Sequence, residues 1–522
     1  MNVLKSFSLM SAFTLTSRIL GYARDLVFAF IFGASANADS FLLAFRLPNL
    51  FRRLFAEGAI NNAFIPLFLD IKKKVNKRAA QLFSNYVFSY LILLLLIVTV
   101  LVEFFMKDIV GLLAPGFSED LLNKTTFLAS VMFPYLILIS ISSFIGALLN
   151  AEGRFALWAF SPIILNICMI LALGLSYFYL LIPGVILSWA VILSGVLQIF
   201  LMLFWAYKKN IKVQILKPRN TKDVKKFFYL LVPNILAGGI FQINQFIGII
   251  FASSITGAIS WLYYADRIVQ LPLGVFIVSI STILLTVLSK QQTNKFKDTS
   301  NNTIDSAFLS ILCLTLICMI GLFVLSDLIV DILFKRGKFG LGDVLATSDA
   351  IIMYAIGLPA FGFIKIFSII FFSKKNTFIP FITSIFSVLL NLFFIILLTE
   401  KMGHLGIALA LSLSSYINAI ILYILILKNN YWHINKKLIK KVFKIILSAF
   451  LTYVVLFIFY MLILISEYFY LSGFMSKAIT LVVLMSISVA LFFSLLILLK
   501  VIDYKMLKMR KFKDLFNERA SG

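Results

Sequence analysis

Leu15 to Ala59 reads LTSRILGYARDLVFAFIFGASANADSFLLAFRLPNLFRRLFAEGA. The stretch contains two apolar runs of the length that crosses a membrane, since a transmembrane helix needs about 20 such residues. It also contains five arginines and three acidic residues. A charged side chain at the centre of a bilayer costs on the order of 3 kcal/mol. The stretch therefore predicts membrane-spanning helices that turn a polar face away from lipid.

The rest of the chain has the same apolar character. Of its 522 residues, 61% are hydrophobic and 13% are charged, whereas soluble proteins have about 25% charged residues. No apolar run alternates as a barrel strand would, so we expect an all-α polytopic membrane protein with 14 transmembrane helices. The predicted spans are about 8–33, 39–69, 81–105, 125–149, 156–178, 182–206, 228–254, 260–288, 306–333, 345–371, 377–399, 404–427, 442–464 and 478–499.

The basic residues are distributed asymmetrically between the predicted loops. With a cytoplasmic N-terminus, the inner segments hold 33 lysines and arginines, the outer loops hold seven, and seven lie within spans. This asymmetry follows the positive-inside rule and predicts that both termini are cytoplasmic. The net charge of +25 then belongs to loops beside anionic headgroups, and no nucleic-acid partner is expected. The basic tail spaces apolar residues on one face, which suits either contact with the inner leaflet or an ordinary solvated helix.

A faint internal repeat predicts two similar lobes. Pro134 and Asn166 are 32 residues apart, as are Pro359 and Asn391, and the two segments match. The repeat recurs after six spans, so the halves have the same orientation. The predicted divisions are an N-terminal lobe (1–207), a basic linker (208–227), a C-terminal lobe (228–427), a loop (428–441), two further spans (442–499) and a basic cytoplasmic tail (500–522).

Polar residues on the first and eighth spans recur at helical spacing and form one sector of each helix. Seven basic residues inside spans would cost about 20 kcal/mol if all met lipid. We therefore predict a hydrated, cationic central cavity lined by the first, second and eighth spans. The polar sectors comprise Thr14, Ser17, Arg18, Gly21, Arg24 and Asp25 on the first span and Ser260, Tyr264, Arg267, Gln270 and Gly274 on the eighth; the basic residues are Arg18, Arg24, Arg46, Arg52, Arg53, Arg267 and Lys365.

The cavity charges favour an anionic ligand. Four acids accompany the seven basic residues, namely Asp25, Asp39, Glu57 and Asp266. The surplus of guanidinium groups suits a phosphate or diphosphate, which arginine grips with two hydrogen bonds. A structural salt bridge between Arg53 and Glu57 is the alternative for that pair. Pro48 and Gly58 interrupt the second span, which predicts either a broken helix at the cavity or a simple kink.

No constellation of catalytic residues is present in the sequence. His404 and His433 fall at opposite predicted membrane faces, so no metal site is expected from them. The three cysteines lie in apolar runs without CxxC spacing, which favours a packing role. The chain lacks a nucleotide-binding loop in a strand-to-helix context. We predict a transporter without a cofactor, driven by the membrane potential or by a coupling cation, and not an enzyme.

Four motifs resemble those of a known family. SRILGYARD, FGASANADSFLLAFRLPNLFRRLFAEGAINNAFIP, WLYYADRI and LGVFIVSISTILLTVLSK are similar to the signatures of bacterial lipid II flippases of the MviN/MurJ type, in the multidrug/oligosaccharidyl-lipid/polysaccharide exporter superfamily. The resemblance implies two six-helix lobes and two C-terminal helices that form a groove for a polyprenyl tail. It also implies transport of lipid II, an undecaprenyl-diphosphate-linked peptidoglycan precursor, from the inner to the outer leaflet of the bacterial plasma membrane.

The resemblance also implies roles for individual residues. Alternating access by rocking lobes is expected, with the arginines binding the diphosphate. Partners would be lipid II, membrane lipids and the cell wall synthesis machinery. One departure is Gln270, where similar proteins often have glutamate, and it weakens any ion coupling assigned to that carboxylate. The resemblance marks as functionally important Ser17, Arg18, Arg24, Asp39, Arg52, Arg53, Glu57, Ser260 and Arg267. With the other charged and polar residues of the spans added, the expected substrate-binding residues are Ser17, Arg18, Arg24, Arg52, Ser260, Arg267 and Lys365; structural or gating roles are expected for Asp25, Asp39, Arg53, Glu57, Asp266 and Gln270.

Three other functions compete with this interpretation. A drug or cation antiporter of the same architecture would need a carboxylate in a neutral or acidic cavity, which the arginine surplus disfavours. A non-transporting scaffold for envelope synthesis would tolerate loss of the cavity charges. An exporter of another polyprenyl-diphosphate-linked glycan shares the diphosphate, and only the motif resemblance separates it from a lipid II flippase.

Overall fold

The computed structural model describes residues 3–52, 60–153, 156–291, 297–466 and 473–501. These residues form helices and connecting turns without a strand, which confirms the all-α prediction for the described part of the chain. Arg53, Glu57, Gly58 and the basic tail beyond residue 501 lie outside the described residues. What the sequence predicts for these residues stays a prediction.

The chain divides into two compact units. The first comprises Met1–Trp261 and Phe334–Asp343, and the second comprises Leu262–Leu333 and Val344–Gly522. The boundary between them falls inside a helix at Trp261, whereas the sequence places the lobe boundary in the basic linker at 208–227. The helix that follows the linker therefore packs with the first unit. The lobes at 1–207 and 228–427 stay a prediction.

The first unit is built from long apolar helices and several shorter ones. Side-chain caps begin many of them; Ser35, for example, accepts a hydrogen bond from the amide of Ala38 at the start of the second helix, as expected for a serine N-cap. The helices are α1 (Val3–Phe32), α2 (Ala36–Phe51), α3 (Ile60–Lys74), α4 (Lys77–Phe104), α5 (Met106–Leu113), α6 (Glu119–Met132), α7 (Tyr135–Ala151), α8 (Ala156–Phe178), α9 (Pro183–Lys208), α10 (Lys222–Ala252) and the start of α11 (Ala258–Pro272).

The second unit continues the same pattern. A π-helical turn, Leu273–Ile277, follows Pro272 and separates α11 from the next helix, as expected where proline removes a backbone donor. The remaining helices are α12 (Val278–Gln291), α13 (Lys297–Phe334), α14 (Leu341–Ile356), α15 (Leu358–Ser373), α16 (Phe378–Met402), α17 (His404–Lys428), α18 (Lys436–Ile465) and α19 (Phe474–Leu498).

The order of helices supports the predicted repeat. Pro134 lies at the break between α6 and α7, and Pro359 follows the break between α14 and α15. Each broken pair is followed by two long helices, α8 and α9 in the first case and α16 and α17 in the second. The second span of each half, α2 with α3 and α11 with α12, is also divided.

Ten helices or helix pairs of the described residues are long and apolar enough to cross a membrane. They coincide with ten of the fourteen predicted spans. The other four predicted spans correspond to α1, to α2 with α3, to α10, and to α11 with α12. These include all three spans predicted to line the cavity, which carry six of the seven basic residues predicted to lie within spans.

Helices α18 and α19 pack against each other in the second unit. Two polar contacts hold them to α13. The Tyr460 hydroxyl donates to Asp327 Oδ2 at 2.7 Å, and Lys477 Nζ lies 2.8 Å from Asp331 Oδ2. Asp327 and Asp331 are one helical turn apart, so both contacts lie on the same side of α13.

Candidate functional site: a buried charge cluster and a closed outer seam

The first charge cluster joins α1 to α8. Arg24 is 6% exposed and Asp25 is 4% exposed. Arg24 Nε and Nη2 donate to Asp25 Oδ1 at 3.0 and 2.6 Å, and Nη1 donates to Asn166 Oδ1 at 3.3 Å. A buried guanidinium needs such partners to offset its desolvation. The predicted Arg24 and Asp25 thus form a buried ion pair.

Asn166 connects this pair to the rest of the polar sector on α1. Its Nδ2 donates to the Ser17 carbonyl at 3.0 Å. A Cβ on Gly21 would lie 3.6 Å from Asn166 Nδ2, so the two helices approach closely here. Sequence reasoning did not assign Asn166 to the site. A signal was present, however, because Asn166 is one of the residues that define the repeat.

The other predicted basic residues have different surroundings. Arg18 is exposed. Arg52 directly follows α2, and its Nε donates to Asn49 Oδ1 in the last turn of that helix at 3.0 Å. Lys365 on α15 is also exposed. Arg18 is therefore accessible at the surface, whereas Arg24 is buried against Asp25 and Asn166.

Within the second unit, the predicted residues Arg267 and Gln270 have partners on the same helix, α11, and the partner of Arg267 is Tyr263, which the sequence did not single out. Arg267 Nη2 donates to the Tyr263 hydroxyl at 3.1 Å, and its guanidinium carbon lies 5.0 Å from the Tyr263 ring centroid. This is the geometry of a cation–π contact. Gln270 Nε2 donates to Asp266 Oδ1 at 3.2 Å. The Gln270 amide therefore holds Asp266 by a hydrogen bond one helical turn away.

The second cluster forms around Asp39, in the first turn of α2. Asp39 is 1% exposed, and its carboxylate accepts three hydrogen bonds from the start of α11. The donors are Gly257 N at 2.6 Å, Ser260 N at 2.8 Å and Ser260 Oγ at 2.6 Å. Asp39 therefore supplies, from a distant helix, the N-cap that α11 would otherwise lack. The structure brings the predicted Asp39 and Ser260 together, and Ser260 is fully buried.

Further contacts surround this cap. They join Phe30–Ala34, Asp39 and Gly116 to Ser253–Trp261 and to the segment 337–343, all within the first unit; we call this set the outer seam. The amide of Lys338 donates to the Phe30 carbonyl at 2.9 Å. Trp261 Nε1 donates to Asp343 Oδ1 at 3.0 Å. The seam thus links elements from the first and second halves of the sequence.

A cavity of about 480 Å³ adjoins the outer seam, and its lining combines polar residues with apolar ones such as Phe117 and Leu121. Lys124 Nζ lies 2.6 Å from Asn37 Oδ1 in this lining, and the cavity also borders Asp39 and Gly116. By the predicted topology these residues lie at the outer face of the membrane. At this end of the first unit, which the predicted topology places outside, the segments are joined by direct contacts, and the cavity lies beside them.

The sequence as a whole matches a known family. Residues 28–483 match the family model described as lipid II flippase MurJ. The chain belongs to the lipid II flippase MurJ family. A probable lipid II flippase MurJ of Rickettsia prowazekii is 35% identical over 97% of this chain and 99% of that protein. Membership of this family identifies a multi-pass membrane transporter, and not an enzyme, as predicted.

Solved structures agree with the assignment to the MurJ family. A lipid II flippase MurJ in an inward closed conformation superposes with a TM-score of 0.78 and 28% identity, covering 94% of this chain and 99% of that chain. An inward-facing multidrug resistance MATE transporter of the MOP superfamily gives a TM-score of 0.67 at 15% identity, covering 80% of this chain and 96% of that one. This second likeness concerns the fold alone. It confirms the predicted polytopic two-lobe architecture.

Proposed function

We propose that this protein is a lipid II flippase, which moves the undecaprenyl-diphosphate-linked peptidoglycan precursor from the inner to the outer leaflet of the bacterial plasma membrane. The observation that carries the proposal is the match of residues 28–483 to the lipid II flippase model. The charge of the predicted cavity agrees with this substrate, because a surplus of arginine in a membrane protein suits a diphosphate.

Transport proceeds by alternating access, with the outer seam as the closure on the outer side. The three hydrogen bonds of Asp39 hold the first turn of α11 against α2 while the inner side receives substrate. Opening the outer side breaks these bonds. Their donors and acceptors then meet water, so each broken bond is exchanged for hydration.

The diphosphate binds first at Arg18 and then at Arg24, with Arg52, Arg267 and Lys365 also contributing. Arg18 is exposed, whereas Arg24 is held by Asp25 and Asn166. A diphosphate competes with Asp25 for the guanidinium, because both offer oxygens to the same donors. Asp25 then acts as the ligand that keeps Arg24 in place between transport cycles.

The lipid tail stays outside the central cavity, in a groove beside α18 and α19. Both helices expose many large apolar residues, such as Phe450, Phe459 and Ile479. Their contacts with α13 through Tyr460 and Lys477 fix one wall of the groove. The undecaprenyl chain remains in hydrocarbon while the sugar and peptide cross in water.

Both termini lie in the cytoplasm, as the basic residues predict. An inside-negative membrane potential drives the cycle, because it favours outward movement of anionic charge by about 2.3 kcal/mol per charge per 100 mV. No further cofactor is required. The product is delivered to the cell wall synthesis machinery at the outer leaflet.

The decisive experiment compares substrates in proteoliposomes of the purified protein. Lipid II, a second polyprenyl-diphosphate-linked glycan and a cationic drug are tested in parallel. Faster appearance of lipid II at the opposite leaflet than in protein-free vesicles supports the proposal. Transport of the drug alone would instead favour the antiporter, and equal rates for both glycans would broaden the substrate class.

A further inference from the structure

Four glycines lie where two segments of the outer seam pass close to each other. At each of them the neighbouring segment approaches so closely that an added Cβ would meet backbone atoms. A Cβ on Gly33 would lie 2.5 Å from the Lys338 carbonyl oxygen, and one on Gly257 would lie 2.7 Å from the Ala34 carbonyl oxygen. A Cβ on Gly337 would meet the Phe30 carbonyl oxygen. A Cβ on Gly116 would lie 2.6 Å from Ser254 N and 2.7 Å from the Ser253 carbonyl carbon.

Gly116 differs from the other three in its backbone. Gly33, Gly257 and Gly337 have φ values of 63°, 87° and 58°, which other residues rarely adopt. Replacing any of them would strain its own loop regardless of the seam. Gly116 does not have a positive φ, so only the approach of the turn between α10 and α11 prevents a side chain there.

The obstruction at Gly116 is rigid. Carbon atoms in contact prefer separations of about 3.5–4.0 Å, so a Cβ at this position would displace the turn by roughly an ångström. The atoms it would meet are backbone atoms of Ser253 and Ser254, which cannot rotate aside as a side chain does. The same turn carries Gly257, whose amide bonds Asp39.

We propose that Gly116 is a positioning residue of the transport cycle, because its missing side chain lets the outer seam close. Any side chain at this position shifts the conformational equilibrium towards an open outer side. The effect grows with side-chain volume. This inference rests on the proposed alternating access. A glycine in a loop then influences whether the cavity opens to the inner or to the outer side of the membrane.

Two cysteine reporters test the proposal without requiring transport. Cys168, Cys313 and Cys318 are first replaced to give a cysteine-free background. Ser253→Cys places a thiol at a seam position that is 4% exposed. Thr14→Cys places one at an exposed position in the inner half of α1. Labelling rates with a membrane-impermeant maleimide are measured from the outer face for the first and from the inner face for the second.

Gly116→Ala is expected to raise the labelling rate of Ser253→Cys at least tenfold and to lower that of Thr14→Cys, and Gly116→Val is expected to do both more strongly. The matched control is Gly111→Ala, whose Cβ would meet only Leu122 Cδ1 at 3.9 Å. It should leave both rates unchanged.

Opposite changes in the two labelling rates distinguish a shift between the two conformations from a loss of folding. Unchanged rates in both Gly116 variants would overturn the proposal. So would a rise at both reporters, because an unfolded protein labels everywhere. Wild-type protein that fails to move lipid II, while Gly116→Ala shifts the two rates in opposite directions, would refute the proposed substrate and leave this inference standing.

Discussion

Replacing Asp39 by asparagine should open the outer seam. The carboxylate is buried and accepts bonds from Gly257 N, Ser260 N and Ser260 Oγ at 2.6, 2.8 and 2.6 Å. Asparagine retains one carbonyl oxygen, so its amino group must face either Gly257 or Ser260, both of which donate. At least one hydrogen bond to a charged acceptor is lost and one buried donor is left without an acceptor.

The magnitude follows from these contacts. A hydrogen bond to a charged group contributes about 1.5–3 kcal/mol, and an unsatisfied buried donor costs about 1–3 kcal/mol. Removal of the buried charge offsets part of this, which leaves a net destabilisation of the closed seam of about 2–4 kcal/mol. Every 1.4 kcal/mol changes an equilibrium tenfold, so the open fraction should rise roughly 30- to 700-fold until it saturates.

The assay is maleimide labelling of Ser253→Cys from the outer face, in parallel with lipid II transport. Asp39→Asn should label much faster than the parent and transport more slowly. Ser260→Ala keeps the backbone bond and should have a smaller effect, of about tenfold for a loss near 1.5 kcal/mol. Asn37→Ala is the control, because its bond to Lys124 is exposed. Equal labelling rates for Asp39→Asn and the parent would refute the role of this cap.

Three further predictions concern stability and energetics. Arg24→Lys should lower the melting temperature, because an ammonium cannot reproduce the two bonds to Asp25 and the third to Asn166; we expect a loss of about 1–3 kcal/mol. Tyr460→Phe should destabilise the protein by a similar amount, about 1–3 kcal/mol, since it leaves Asp327 without its hydroxyl donor. Dissipating the membrane potential with ion gradients held fixed should slow lipid II transport, because the anionic substrate then loses its electrical driving force.

Each of these predictions has a control and a contradicting result. Arg18→Lys, at an exposed position, should leave the melting temperature unchanged, and an equal loss in both variants would argue against the buried pair. Tyr453→Phe keeps the ring contacts with Phe323 and Phe457 and should be neutral; a loss equal to that of Tyr460→Phe would contradict the proposed anchor. Transport that is independent of an imposed potassium diffusion potential would exclude the electrical drive.

Local sequence patterns predicted the helices well. Apolar run length and loop charge act over one helix at a time, and every predicted span falls on a described helix or on consecutive helices, apart from residues 53–59. The same patterns identified Arg24, Asp25, Asp39 and Ser260 as functional candidates. Periodicity identifies the face of a helix that is polar, and this information does not depend on the rest of the fold.

Contacts between residues that are far apart in the sequence could not be predicted in the same way. Asp39 and Ser260 are separated by 221 residues, and nothing in their local sequence specifies that one caps the helix of the other. Asn166 likewise lies far from Ser17 and Arg24. The close approach at Gly116 depends on the path of two loops, which only the packed structure defines.

The most direct test of the account is the rate at which lipid II appears at the far leaflet of proteoliposomes that contain wild-type protein or Arg18→Ala. Arg18 is exposed, so the variant should fold normally; Arg219→Ala in the exposed linker is the charge-matched control. We predict that wild type and Arg219→Ala expose lipid II much faster than empty vesicles and that Arg18→Ala is slowed at least tenfold. Wild-type vesicles that expose lipid II no faster than empty ones, with the imposed potential present, would contradict the central claim.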